Sequence, residues 1–507
     1  MESTLLLPKA SHSKSWLFNG LIALPLFLTI ASLIAIYVSC SVELYNINYL
    51  YLSVYGVFAV FHYALQMTVA LLNRAQIDNL PIVTDFYPSV SLNVAGYRED
   101  PDFFRACLFG LKHTQYSHVV KTIIVIDGNS AEDQAMADIA SQVYKNCTYI
   151  KLPYTFTAIN KQLLLQHFVE EHRDKPVLCI LQPHAGKRAA IRTAVEICDF
   201  LDIDYFVNTD SDTVLHVDAV TELMRCMMSN GTQIAAVAGA LRIFNASETL
   251  LARVSDTRYY FAFNIERAAQ SYFNCVQCIS GPLGLYFTKD YASILEEWYN
   301  QTFCGQPATS GDDRHATSCL LAKGKQVKFT HLAIAETETP LTTNRFLLQQ
   351  CRWVKSFYRE IYYLTTQVLP KQHYFATYEM SFSLFYPCAL ISGIAALVVY
   401  NESWQSVWIM MVATILFPFL RGLVCVLTMQ AEWRMLLIGL YGPLYISMLL
   451  PCKLYALATV FDFGWGTSTR ASGFFSDKIS GLMITVIIFN ILLTAIAVHA
   501  LVGGLTP

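Results

Sequence analysis

The sequence has little charge. Of its 507 residues 54% are hydrophobic and only 14% are charged, whereas an ordinary soluble domain carries about 25% charged residues. The net charge is −3, so the chain lacks the basic excess of nucleic-acid-binding proteins, and we expect no nucleic acid as a partner. Neither glycine fingerprint of the Rossmann or P-loop nucleotide sites is present. The shortage of charge predicts a membrane protein whose charged residues are concentrated in one region.

Two uncharged segments near the N-terminus, Trp16–Ser39 and Leu50–Leu72, are each long enough to cross a bilayer, which needs about 20 apolar residues. Lys9 and Arg74 flank this pair and predict that both of its ends face the cytosol. Most of the charged residues lie in the stretch after this pair, and apolar segments return after that stretch. We therefore divide the chain into a cytosolic N-terminus (1–15), two transmembrane helices (16–72), a cytosolic domain (73–339), amphipathic interface helices (340–378) and a C-terminal membrane region (379–507).

The C-terminal membrane region contains four apolar segments: Met380–Tyr400, Trp404–Gln430, Met435–Thr459 and Ile479–Gly503. The third includes Pro443, Pro451 and Lys453, a composition that favours a bent, re-entrant segment; the alternative is a full crossing.

Arg421 is the only charged residue between Trp404 and Gln430. A charge deep in a membrane span costs about 2.5–3.5 kcal/mol on insertion scales. We predict that Arg421 faces a polar channel, and the alternative is a side chain that snorkels to the interface.

The cytosolic domain alternates strand and helix patterns. Four β-branched runs end in polar residues, and helical patterns such as Asp100–Lys112 and Glu132–Tyr144 lie between them. The runs are Ser89–Gly96, Thr122–Asp127, Val177–Gln182 and Tyr205–Asp210. This alternation predicts an α/β fold with a mostly parallel sheet, and ligands of such sheets bind at the carboxyl ends of the strands.

Charged residues follow these strand ends. Asp210 and Asp212 lie at the end of one run, and Asp127 at the end of another. Two carboxylates suit one hard cation shared with a diphosphate. Lys187 and Arg188 after Gly186 are candidates for neutralising phosphate charge; the alternative is solvated surface charge. Together these residues predict a nucleotide site.

Asp313 is the candidate general base. It follows Asp312 in a loop before an apolar helix, where adjacent acids could instead serve only as helix caps. A sugar hydroxyl that attacks an activated anomeric carbon needs a proton acceptor within hydrogen-bond reach.

The amphipathic stretch Phe346–Leu364 places Gln349, Arg352 and Trp353 on one helix face, at positions i, i+3 and i+4. The indole ring offers a stacking surface for a sugar, and the guanidinium offers a fixed positive charge. The stretch also reads as an interfacial helix, and both interpretations can hold.

Six strings, in order, resemble the processive family-2 glycosyltransferases with a membrane channel, and specifically the hyaluronan synthases. They are Gly96–Pro101, Val125–Asn129, Phe263–Tyr286, Gly311–His315, Gln349–Ser356 and Trp465–Thr467. The resemblance covers nearly the whole chain and implies a GT-A-like domain inserted between an N-terminal helical hairpin and C-terminal membrane helices. Val354 departs from the pattern, which has serine, and one span instead of two follows Trp465.

The resemblance implies a role for each group of site residues. Tyr97, Arg98, Glu99 and Asp127 would hold the uridine side of the donor, and Asp210 and Asp212 would bind the diphosphate of UDP through Mg²⁺ or Mn²⁺, beside Lys187. Asp313 is similar to the catalytic base of the family. Cys278, Ser280 and Gly281 would form an acceptor neck, and Gln349, Arg352 and Trp353 would position the acceptor terminus. Trp465 and Thr467 would belong to a loop that reaches the nucleotide.

The function implied is alternating transfer from UDP-GlcNAc and UDP-glucuronate to a growing hyaluronan chain, which leaves through a pore in the plasma membrane. One alternative is a chitin or chito-oligosaccharide synthase that uses UDP-GlcNAc alone. A second is a channel or transporter with a nucleotide-binding domain, which would need neither a base nor an acceptor helix.

Overall fold

The computed structural model describes residues 54–81, 87–229, 234–399, 404–463 and 477–503. The first predicted membrane segment, Trp16–Ser39, and the predicted nucleotide-contacting residues Trp465 and Thr467 lie outside these ranges. The second predicted segment is described from Val54 onward, where helix α1 spans Val54–Asp78.

A nine-stranded sheet forms the centre of the domain between the membrane segments, in the order β3-β4-β2-β1-β5-β8-β7-β11-β6. Its strands are β1 (Val90–Gly96), β2 (Val119–Ile126), β3 (Cys147–Lys151), β4 (Val177–Leu181), β5 (Tyr205–Asp210), β6 (Val214–Leu215), β7 (Ile234–Ile243), β8 (Gly284–Phe287) and β11 (Gln326–Thr337). A separate two-stranded ribbon pairs β9 (Thr302–Phe303) with β10 (Gln306–Pro307).

The sheet is mostly parallel, as predicted. Strand β1 pairs in parallel with β2 and β5, β4 pairs in parallel with β2 and β3, and β7 pairs in parallel with β11. Strand β8 runs antiparallel to both of its neighbours, and β6 runs antiparallel to β11. The predicted fold, an α/β domain of the GT-A-like kind joined to membrane helices, is therefore confirmed.

Helices pack against the sheet and continue into the C-terminal region. They are α2 (Pro101–Lys112), α3 (Gln134–Val143), α4 (Lys161–Leu164), α5 (Lys187–Phe200), α6 (Ala219–Met227), α7 (Leu250–Phe261), α8 (Ala268–Tyr272), α9 (Thr288–Tyr299), α10 (Asp312–Ala322), α11 (Thr343–Tyr363), α12 (Tyr374–Val399), α13 (Trp404–Met429), α14 (Tyr441–Leu444), α15 (Leu450–Ala458) and α16 (Asp477–Gly503). A π-helical turn, Ala262–Arg267, joins α7 to α8 into one helical run.

Local sequence explains where the first of these helices begins. The Asp100 carboxylate accepts hydrogen bonds from the backbone N–H groups of Asp102 and Phe103, and Pro101 occupies the first helical turn. Both features are typical of a helix N-terminus. The start of α2 therefore fixes the polar loop that follows β1.

Three stretches of the described residues are long and apolar enough to cross a membrane: Val412–Met429, Trp433–Ala458 and Gly481–His499. The chain is thus a membrane protein. Trp433–Ala458 is a continuous run of helical turns that begins as a 3₁₀ segment, Trp433–Leu440, and contains a π-helical turn, Tyr445–Leu449. The re-entrant course of this stretch stays a prediction.

Candidate active site

The carboxyl ends of β4 and β5 bring a lysine and an aspartate together. Lys187 begins α5 directly after β4, and its Nζ lies 2.5 Å from Oδ1 of Asp210 at the end of β5. The same Nζ lies 3.9 Å from Oδ2 of Asp312. Gly186, with φ 95°, makes the turn that precedes α5, a backbone conformation that favours glycine. The two strand ends therefore meet as the sequence predicts.

Negative charge exceeds positive charge at this point. Burial and the nearby carboxylates of Asp210 and Glu99 raise the pKa of Asp212 to about 7. Glu99 is held in place because its Oε2 accepts a hydrogen bond of 3.0 Å from Ser211 Oγ. The charge excess is the kind that a bound cation relieves.

The described residues contain no cluster of three or more His, Cys, Asp or Glu side chains arranged as a ready-made metal site. Asp210 and Asp212 nevertheless fit a metal that arrives with phosphate, since Mg²⁺ is usually held by one or two carboxylates together with substrate phosphates.

Gly281 leaves space beside the lysine–aspartate pair. A Cβ atom added to Gly281 would lie 3.0 Å from both carboxylate oxygens of Asp210 and from Nζ of Lys187. Of the predicted neck residues, Gly281 therefore adjoins the lysine–aspartate pair.

Arg267, which the sequence analysis missed, organises the same neck loop. Its Nε donates to the Cys278 carbonyl at 2.9 Å, and its Nη2 donates to Ser280 Oγ at 2.9 Å. Its guanidinium also lies 4.0 Å from the ring centre of Phe263. Its position inside a matching string is the only signal that could have identified it.

Asp313 lies in the first turn of α10, beside the neck loop. Its Oδ1 accepts from the backbone N–H of Arg314 at 2.8 Å, and its Oδ2 lies 3.5 Å from the Cys278 thiol sulfur. Burial, followed by the adjacent charge of Asp312, raises the pKa of Asp313 above its ordinary value. A carboxylate with a raised pKa is a better proton acceptor than an ordinary aspartate.

The face of α11 that carries Arg352 and Trp353 lies near Asp312 and Asp313. Trp353 is 40% exposed and its ring centre lies 6.3 Å from that of Tyr259. Burial lowers the pKa of Arg352, and the charges of Asp312, Asp313 and Asp210 oppose this effect. The structure therefore brings together the predicted base, metal-binding acids and acceptor helix.

Gln349 adds a hydrogen-bond acceptor to the same face of α11. Its buried Oε1 has no hydrogen-bond partner within the described part of the chain. An unpaired buried oxygen carries an energetic cost, which a ligand hydroxyl would remove.

The residues predicted to hold uridine divide into two groups. The Tyr97 ring stacks on His184, with ring centres 4.1 Å apart. The buried carboxylate of Asp127 accepts from the backbone N–H groups of Ala185 and Gly186 at 3.0 and 2.7 Å. Tyr97 is available to a planar base, whereas Asp127 shapes the loop that carries His184. No residue pattern singled out His184 as functional.

Two predicted cations contact other parts of the fold. Arg98 pairs with Glu132 at 2.8 Å and with Asp133 at 3.4 Å, at the start of α3. Arg188 is buried and donates to the Trp298 carbonyl and to Gln301. The phosphate contact predicted for Arg188 is therefore wrong, because successive residues of a helix face about 100° apart and only Lys187 faces the strand ends.

Arg421, on α13, lies between α1 and α7. Its guanidinium carbon lies 4.1 Å from the ring centre of Tyr63 on α1 and 4.9 Å from that of Phe261 on α7. Its Nε and Nη2 are buried and have no hydrogen-bond partner among the described residues. The nearby Glu266 carboxylate is occupied, because Arg258 donates to both of its oxygens at 2.9 and 3.0 Å.

Comparisons with known proteins identify relatives of the chain. A family model described as chitin synthase matches residues 189–304. The chain is 35% identical to hyaluronan synthase 1 of Xenopus laevis, over 83% of this chain and 74% of that one. It is 35% identical to hyaluronan synthase 2 of Homo sapiens over 83% of this chain and 77% of that one, and 34% identical to human hyaluronan synthase 3 over 90% and 82%.

Among solved structures, the chain is similar to a mannosyltransferase from Pyrobaculum calidifontis in complex with GDP-Man and Mn²⁺. That match has a TM-score of 0.39 and 12% identity, and it covers 89% of this chain and 98% of the other.

Proposed function

The chain belongs to the hyaluronan synthase family and is a membrane glycosyltransferase, and from this premise we propose that it polymerises hyaluronan from UDP-GlcNAc and UDP-glucuronate. We further propose that it acts in the plasma membrane, with the sheet domain in the cytosol, and that it exports the polymer through its membrane helices. The observation that carries the proposal is the convergence of Asp313, the Asp210–Lys187 pair and the exposed Trp353 on one site.

The donor diphosphate would bind at the strand ends. Lys187 supplies a positive charge there, and Asp210 and Asp212 would hold Mg²⁺ or Mn²⁺, which neutralises the charge of the leaving UDP. The stacked Tyr97 and His184 rings would receive the uracil base.

The acceptor hydroxyl would approach from the α11 side. Asp313 takes the hydroxyl proton as the oxygen attacks the anomeric carbon, and the bond between that carbon and the diphosphate oxygen breaks with inversion. Trp353 would stack on the acceptor sugar, and the unpaired Oε1 of Gln349 would accept a hydrogen bond from one of its hydroxyls.

The product would leave past Arg421. The two unpartnered nitrogens of this residue suit the carboxylate of glucuronate, since the nearby carboxylates of Glu266 and Glu379 already accept hydrogen bonds, from Arg258 and from Gln66. A polymer that carries a carboxylate on alternate sugars would meet this group repeatedly. Chitin has no carboxylate and offers Arg421 no such partner.

The substrate experiment offers purified protein each UDP-sugar alone and then both together. We expect polymer only with both, and we expect hyaluronidase to digest it. Polymer from UDP-GlcNAc alone would support the chitin synthase alternative, which the family model over residues 189–304 keeps open. Absence of UDP release with either sugar would support the transporter.

A further inference from the structure

The acceptor motif on α11 is one end of a longer stripe of residues. Two turns beyond Gln349, the same helix face continues through Ser356, Arg359 and Glu360. The first end, with Trp353, is exposed to the sugar site, whereas these three later residues are buried. We call Ser356, Arg359 and Glu360 the buried end of the stripe.

Glu360 connects α11 to the helix that carries the base. It is 1% exposed, and its Oε1 lies 2.9 Å from Nδ1 of His315, which is also buried. His315 follows Asp313 by two residues on α10. The other oxygen of Glu360 accepts from Gln301 Nε2 at 2.9 Å. One buried carboxylate therefore joins α11 to α10 and to the segment after α9.

The Gln301 contact leads back to the active site. Gln301 Oε1 accepts from Arg188 Nη2 at 2.5 Å, and Arg188 Nη1 donates to the Trp298 carbonyl at 2.9 Å. The indole N–H of Trp298 donates to the Asp312 carbonyl at 2.7 Å. This hydrogen-bond network contacts the first turn of α10 through the Asp312 carbonyl. It includes Arg188, the residue next to Lys187.

The other two residues of the buried end contact the loop just before Asp312. A Cβ atom added to Gly311 would overlap the Ser356 side chain, so the two segments are in direct contact. Arg359 Nη1 donates to Ser310 Oγ at 3.3 Å, while its Nη2 donates to the Asp462 carbonyl at 2.8 Å. All three residues of the buried end therefore contact the segment 310–315, which carries Asp313.

We propose that Glu360 is a positioning residue that holds the acceptor face of α11 in register with Asp313. It touches neither donor nor acceptor. It fixes the distance between the helix that binds the acceptor and the helix that removes its proton. This inference rests on the proposed function, because it assigns the acceptor to α11 and the base to Asp313.

A residue that positions α11 should affect the reaction in a way that a residue that only stabilises the fold should not. Transfer to a sugar needs both helices in register, and a displacement of about 1 Å can cost roughly 100-fold in rate. Transfer to water needs the donor and its ligands but no acceptor on α11. A loss of register should therefore reduce polymer synthesis far more than it reduces UDP release by hydrolysis.

The test is Glu360→Gln in the full-length protein with both donors present, measured for sugar incorporation and for hydrolysis, which is the UDP released in excess of the sugar incorporated. We expect incorporation to fall about 10- to 100-fold, UDP release by hydrolysis to change less than about threefold, and the KM for each donor to stay within about twofold. Glu297→Gln is the matched control, because Glu297 also contacts α11, accepting from Tyr363 at 2.6 Å, but is exposed. It should retain both activities.

His315→Gln removes the same contact from the other side and tests the proposal if the Glu360 variant does not fold. The two single variants should show the same defect, and the double variant should be no worse than either. Equal losses of incorporation and hydrolysis, or unchanged incorporation, would overturn the proposal. The ratio of incorporation to hydrolysis can be measured for any polymer, so a product other than hyaluronan would refute the proposed function and leave this test intact.

Discussion

At the scale of single residues, Asp313 illustrates the conflict between stability and activity. The site holds its carboxylate in a buried position next to a second acid, and both conditions disfavour the ionised form. We predict that Asp313→Asn abolishes polymer synthesis, retains UDP binding and raises the unfolding temperature, since the repulsion with Asp312 is removed. Calorimetry with UDP and a thermal melt measure these effects. Asp138→Asn, on the exposed side of α3, is the control, and synthesis at the wild-type rate by Asp313→Asn would refute the base assignment.

The pH dependence of the reaction follows from the same residue. The proposed base acts as the carboxylate, so we expect activity above its pKa and a loss of activity as the pH falls through that pKa. Because the pKa is raised, we expect kcat to decline at a higher pH than the ordinary aspartate value of about 3.9. A pH–rate profile at saturating donor measures it, and an acid limb at the ordinary value would contradict the environment described for Asp313.

Residue types and local patterns predict where several candidate site residues lie in the fold. Asp210 and Lys187 lie at neighbouring strand ends, and Trp353 lies on an exposed helix position. His184 and Arg267 were missed because their contacts depend on loops from distant parts of the chain. No local spacing predicts that Arg267 meets the Ser280 loop.

At the scale of elements, the contact between α11 and the loop before α10 depends on a glycine. Gly311 has φ 88° and lies against Ser356, whereas Gly324 has φ 75° and open space where an added Cβ atom would lie. We predict that Gly324→Ala costs about 1–2 kcal/mol of stability from backbone strain alone. Gly311→Ala should cost more and should also abolish activity.

The pair of glycine variants separates backbone strain from packing, and chemical denaturation measures both. Adding Ser356→Gly to Gly311→Ala should recover part of the lost stability, because it removes the overlapping side chain. Equal costs for the two single variants would show that the helix contact contributes nothing.

Sequence periodicity predicted the elements unevenly. The strands β1, β2, β4 and β5 and helix α11 match their predicted ranges closely because each has a clear apolar period and a polar end. Strands β7 and β11 and the antiparallel β8 were not predicted. Strand β7 has small apolar residues on both faces and lacks the alternation that identifies a strand.

At the scale of the whole molecule, Arg421 connects α13, which contains the candidate membrane span Val412–Met429, to α7 of the sheet domain. A hydrogen bond to a charged group contributes about 1.5–3 kcal/mol, so we predict that Arg421→Ala slows chain extension by roughly tenfold or shortens the polymer. UDP release by hydrolysis should be unchanged, since the donor site is intact. Arg421→Lys keeps the charge and should recover part of the product length. Gel electrophoresis of the polymer measures it, and wild-type lengths in a folded Arg421→Ala variant would refute a channel role.

Helix α11 also carries a constraint on how related chains can diverge. Its acceptor end and its buried end must lie on the same face of the helix to keep their contacts. Each inserted residue would rotate one end relative to the other by about 100°. A single insertion between Trp353 and Ser356 would aim Glu360 away from His315 while leaving both residues in the sequence. Substitutions between the two ends should therefore be tolerated, whereas changes of length should be absent from active relatives. The number of residues between the two ends is as much a part of the active site as their identities.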